Sequence, residues 1–256
     1  MTKDRSSVKE LEKETVPMRK LYEKKRILFA FLWIVLYCVV MSYLKGNFGY
    51  QSIAMLLGIT AFAIGIILFI KRNHLEKECR LVSWPENTKR FLYFIPMWIL
   101  ATGNLWDGLA LSYHGIDQVI AVLSMILVGF VEEMLFRGFL FTAMLSKEKT
   151  AVAIIVSSLT FGMADIINFF TVQKSFETIV QMIFSISWGF ILTFVCYKSG
   201  SIFPCIIAHS MIDAFSMFGA DNALVDQIYV VITIVVAIVY CIYLGKIKED
   251  VIKNEN

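Results

Sequence analysis

Apolar runs too long to belong to a soluble core succeed one another from Ile27 to Leu244, and they constrain this chain more than any other feature. A bilayer core about 30 Å thick takes roughly 20 apolar residues as helix, fewer where neighbouring protein shields the helix. Lipid admits only helices or closed barrels, because every backbone polar group must be satisfied within the protein. Eight runs qualify: Ile27 to Tyr43, Ile53 to Ile70, Phe91 to Trp106, Ile116 to Leu145, Ala151 to Phe170, Ile179 to Tyr197, Ile202 to Phe218 and Ile228 to Leu244. Of 256 residues, 58% are hydrophobic and 18% charged, and the mean hydropathy is +0.69; a soluble domain keeps about a quarter of its residues charged. The expectation is an all-α membrane protein, a bundle of about eight transmembrane helices.

Loop charge counts the crossings independently, because Lys and Arg gather in cytoplasmic loops. With the N-terminus inside, the inside segments hold nine basic residues in 1–26, six in 71–90, then Lys147 and Lys149, Lys198, and finally Lys246, Lys248 and Lys253. The outside loops hold only Lys45 and Lys174. One crossing more or fewer would scramble this split of 21 to 2. Both termini are therefore expected in the cytoplasm, and the last basic residue, Arg137, falls inside the fourth span. The organisation read from this pattern is a cytoplasmic segment 1–26, a polytopic membrane domain 27–245 and a cytoplasmic tail 246–256, in the plasma membrane. The nine basic and five acidic residues of the opening segment are unlike the short n-region of a cleaved signal peptide. Its cluster Lys24-Lys25-Arg26 reads as the flank of a retained helix.

The net charge of +3 is dispersed by topology, so the partners expected are the bilayer and a membrane-associated or peptide substrate, and no nucleic acid. The cysteines at 38, 79, 196, 205 and 241 form no CxxC pair and read as small buried hydrophobes.

Ionisable residues inside a span are costly and normally face an interior cavity. Here they cluster on three spans: Glu132, Glu133 and Arg137 on the fourth, Asp165 on the fifth, His209 and Asp213 on the seventh. Glu133 and Arg137 are four residues apart and share a helical face, as do His209 and Asp213, while Glu132 is turned about 100° from Glu133. One carboxylate is expected to be neutralised and the other free. At about 1.5 Å per residue, Glu132 and Glu133 sit roughly 20 Å from the cytoplasmic end of their span, Asp165 roughly 21 Å, and His209 to Asp213 roughly 10 to 17 Å. Interhelical hydrogen bonding accounts for one such residue; six at similar depth point to a cavity built for chemistry. A proton or ion path would need charges leading to both surfaces, and the outer halves of the spans carry few.

The segment VEEMLFRG, from Val131 to Gly138, is similar to the EExxxR motif of the CPBP family of intramembrane proteases, the CAAX-prenyl-protease and bacteriocin-processing (Abi) group. AHSMID, ending at Asp213, resembles the family's HxxxN-type motif, and SSLTFGMAD, ending at Asp165, has the frame of its SSxxFGxxH motif. The likeness runs from about residue 115 to 218. It implies an eight-helix bundle with a polar cavity open toward the cytoplasmic side, which a substrate reaches from the cytosol or laterally. It further implies that Glu132 activates the attacking water, that Glu133 and Arg137 support it as an ion pair, and that His209 with position 213 binds the developing oxyanion or helps to hold a metal. This sequence departs from the family at Asp165, where histidine is usual, and at Asp213, where asparagine is common.

Two mechanisms accommodate the departure. In one, Glu132, Asp165 and His209 hold a zinc ion that lowers the pKa of its bound water. In the other no metal binds, and Glu132 and Asp165 share a proton as a carboxylate dyad. In a third, non-enzymatic reading, Asp165 marks lost activity and leaves a membrane scaffold or regulator, such as an immunity factor or the partner of a cell-envelope enzyme. Asn104 is read as an interface cap, the aromatic residues as belt and core packing, and Pro204 as a first-turn residue of the seventh span.

Overall fold

The computed structural model describes residues 17–82, 84–85, 94–163, 176–220 and 222–246. Among them every regular element is helical: α1 (Pro17–Lys24), α2 (Arg26–Phe48), α3 (Ile53–Asn73), α4 (Ile95–Ala101) with a 3-10 turn at Gly103–Leu105, α5 (Ile116–Leu145), α6 (Thr150–Met163), α7 (Phe176–Ser199), α8 (Phe203–Phe215) and α9 (Ala223–Lys246). Five of these, α2, α3, α5, α7 and α9, are long and apolar enough to cross a bilayer. Their outward faces are what lipid requires, since α2 exposes Phe31, Val35 and Val39, and α9 exposes Val235, Val239 and Ile242.

The remaining three expected spans are described in part or as shorter helices. α8 is apolar but short, with 13 residues, and α6 is described over 14 residues, the rest of the fifth expected span, 164–170, lying outside the described residues. In the third span the described helix is only Ile95–Ala101, with Pro96 in its first turn. Elsewhere polar residues cap the helix starts. The Ser52 hydroxyl accepts from the Met55 N–H to start α3, and the Asn222 side chain accepts from the Leu224 N–H just ahead of α9. Pro204 occupies the first turn of α8 as expected.

The two ends of the bundle are tied differently. At one, where α2 begins and α3, α5, α7 and α9 end, the Arg26 guanidinium meets Glu78, and Arg80 donates to the Cys196 carbonyl. Just inside that end Phe29 stacks on Phe69 at 4.9 Å and meets Phe139 edge-on at 5.3 Å, while Tyr22 closes the cluster at 5.2 Å from Phe29. At the opposite end the only bridge between extended segments pairs Leu109 with Gly219, among the described residues, and the Ala110 N–H donates to the Phe218 carbonyl. These contacts fasten the loop after α4 to the loop after α8.

Candidate active site

Close helix crossings deliver the charged side chains to one place. α5 and α8 meet at Gly129, where an added Cβ would stand 2.6 Å from the Ser210 backbone nitrogen, so only glycine permits the approach. The Ser210 hydroxyl fastens the crossing by donating to the Ile126 carbonyl at 2.9 Å. One turn further along α5 lie Glu132 and Glu133, opposite His209.

Glu133 and Arg137 form the ion pair that their spacing predicts, at 2.7 Å with neither side chain exposed. Arg137 also donates to the Gly189 carbonyl of α7 at 3.1 Å and stacks its guanidinium 4.3 Å from the Phe161 ring of α6. Gly189 is itself a close contact, since a Cβ there would lie 2.7 Å from the Ser158 carbonyl oxygen. From Met134 to Phe141 the helix is wound as π-helix and every residue is buried. Such widened turns recur at functional sites, and nothing in the periodicity announces this one.

The pair holds the imidazole. Nδ1 of His209 lies 2.9 Å from Glu133 Oε1; a carboxylate in an ion pair only accepts, so Nδ1 carries the hydrogen. The ring's other nitrogen, Nε2, then faces Glu132 Oε2 at 3.8 Å and Asp213 Oδ2 at 3.5 Å. The ring also rests edge-on against Phe161, with centroids 5.4 Å apart. Glu132 is turned away from Glu133 into a cavity of about 540 Å³, shared with Asp213, Tyr37, Asn104, Lys45 and Tyr50 among others. Its carboxylate is 23% exposed while that of Glu133 is wholly buried, so the two neighbouring glutamates have opposite surroundings.

Glu132 is not free, however. Tyr37 of α2 donates its hydroxyl hydrogen to Glu132 Oε1 at 2.8 Å. Sequence reasoning placed this tyrosine with the packing aromatics, and its only signal was a hydroxyl in the middle of an apolar run. Asn104, read as an interface cap, both lines the cavity and donates to the Ile212 carbonyl at 2.7 Å. Of the six residues singled out, Glu132, Glu133, Arg137, His209 and Asp213 come together; Asp165 lies outside the described residues.

The arrangement suits acid–base chemistry on a bound molecule: a hydrogen-bonded carboxylate, an imidazole held by a buried carboxylate, and a second carboxylate beside it. Among the described residues no three His, Cys, Asp or Glu side chains are disposed to hold a metal ion. A zinc site would depend on Asp165 to complete Glu132 and His209.

The cavity runs from Glu132 and His209 toward Lys45, Tyr50, Ser216 and Met217, the end opposite Arg26 and Arg80. That is the end of the bundle where α2 finishes and α5 and α9 begin.

No curated protein and no solved structure matches the chain. Residues 115–215, which contain all six of these charged positions, match the family described as Rce1-like, type II CAAX prenyl endopeptidase. Over this segment the chain is similar to the type II CAAX prenyl endopeptidases, which supports the resemblance to the CPBP family of intramembrane proteases.

Proposed function

We propose that the protein is an intramembrane endopeptidase that hydrolyses a peptide bond with a water activated by Glu132. The observation that carries this reading is the pairing of Glu132 Oε2 with His209 Nε2 across 3.8 Å, with the ring's other nitrogen tied to Glu133. That gap suits one water bonded to both groups.

In this mechanism Glu132 takes a proton from the water as the oxygen attacks the scissile carbonyl, and Tyr37 steadies the carboxylate from its other oxygen. His209, donating from Nε2 when protonated, faces the oxygen that becomes an oxyanion, with Asp213 beside it to favour the charged ring. Collapse of the tetrahedral intermediate breaks the C–N bond, and Glu132 returns its proton to the leaving amine. The products are one new carboxylate and one new amine. Asp165 is the expected partner in proton sharing. Zinc, if held by Glu132, Asp165 and His209, would polarise the carbonyl and lower the pKa of the water; no step above requires it. Eight crossings and cytoplasmic termini belong to the same proposal, supported by the segregation of basic residues, and a plasma-membrane location goes with it.

The test compares newly formed protein termini in membranes from cells carrying the wild type and Glu132→Gln at equal protein levels. Termini present only with the wild type are expected. Identical terminus profiles, with a biological phenotype that survives Glu132→Gln, would support the scaffold reading instead.

A further inference from the structure

We infer that the cavity opens on the extracytoplasmic face and takes an extended peptide segment presented from that side. The inference rests on the hydrolase reading only for what happens to the peptide; the direction of access stands on two independent observations.

The first is where the cavity ends. Its lining descends α2 from Tyr37 through Ser42 to Lys45, crosses the turn at Tyr50, and meets Ser216 and Met217 beyond the end of α8. Lys45 and Ser216 are both exposed, so the cavity reaches the protein surface at this end. In the other direction the path is closed. Met134, Leu135, Phe136, Arg137 and Phe141 have no exposed surface, and the Tyr22, Phe29, Phe69 and Phe139 cluster fills the space beyond.

The second observation is charge. The closed end carries Arg26, Lys71, Arg72, Arg80, Lys147, Lys149, Lys198 and Lys246, which are the residues that remain in the cytoplasm. The open end belongs to the loops in which only Lys45 and Lys174 are basic. The positive-inside rule thus assigns the mouth to the outer surface.

The mouth also suits a peptide. The volume of about 540 Å³ falls in the range of ligand sites. Lys45, 5.1 Å from the Tyr50 ring centroid, supplies a cation at the rim, while Glu132 and Asp213 lie at the floor. An extended segment can thread such a mouth from an outward-facing loop or from the outer end of a membrane anchor.

The test uses the full chain in intact cells with its native cysteines, the modified sites being identified by peptide mass spectrometry. Ser42→Cys and Ser216→Cys place a thiol on the cavity wall, and Lys77→Cys places one at the closed end. A membrane-impermeant maleimide should modify the two cavity thiols from outside, and the one at 77 only after permeabilisation. Protection of both cavity thiols from the outside reagent, or outside modification at 77, overturns the inference. Neither result depends on activity. Cut sites from the terminus comparison supply the second measurement: they should map to extracytoplasmic segments, and cytosolic cut sites overturn the assignment of substrate. Absence of any cut site fails the hydrolase reading while leaving the direction of access to the labelling result.

Discussion

Tyr37 and Glu132 stand 95 residues apart in sequence, yet the phenol donates to the carboxylate at 2.8 Å from a different helix. A hydrogen bond to a charged group is worth about 1.5–3 kcal/mol, so Tyr37→Phe should lower the cleavage rate about ten- to a hundredfold with little change in protein yield. An undiminished rate in Tyr37→Phe would show that the bond does not position the base.

The buried ion pair behaves differently. Glu133→Gln or Arg137→Ala leaves a charge without its partner in a site with no exposure, at a cost of about 3–5 kcal/mol. Both single variants should accumulate poorly and melt earlier, and Glu133→Gln should also lose activity because it weakens the hold on His209. The combined Glu133→Gln, Arg137→Met change should recover much of the thermal stability without the activity. Normal stability in either single variant contradicts this account of the pair.

Much of this site was legible in the chain, for a physical reason. Helical periodicity is local, so the i,i+4 pairing of Glu133 with Arg137 and the outward turn of Glu132 follow from spacing alone. The proximity of His209 to Asp213 follows in the same way, and the cost of charge in lipid marks all of them. Tyr37 was not legible, because nothing local says which helix packs against α5. The π-helical turns after Glu133 have no signature in the apolar pattern either. The position of the cavity mouth depends on how α2, α5 and α8 splay apart, which residue spacing does not encode.

Gly129 sets the distance between the two halves of the site. A methyl group there would meet Ser210 backbone, which has no flexible end to swing aside. Gly129→Ala should cost about 1–3 kcal/mol and, by pushing α8 away, reduce cleavage more than it reduces yield. Thermal melting and cleavage measured on the same preparation check this; full activity in Gly129→Ala would mean that the crossing has slack.

The corner at the closed end makes a separate prediction. Burial pushes the Cys79 thiol up to about 12, with the Tyr22 contact opposing it and Glu78 adding to it. Thiolate is the reactive form, so iodoacetamide at about pH 8 should leave Cys79 unmodified while the protein is folded and modify it after denaturation. The sign for stability follows: the contribution from keeping this thiol neutral is complete below the ordinary thiol range and is lost as pH rises toward about 12. Rapid alkylation of Cys79 in the folded protein contradicts both statements.

The central claim, that Glu132 activates water for peptide hydrolysis, is tested most directly with purified protein in proteoliposomes, incubated with a defined peptide library in ¹⁸O-labelled water. The account predicts cleavage products whose new carboxyl termini carry solvent ¹⁸O for the wild type, and none above background for Glu132→Gln of equal melting temperature. Equal ¹⁸O-labelled product from the two proteins, or none from a folded wild type shown to bind the library peptides, would contradict it.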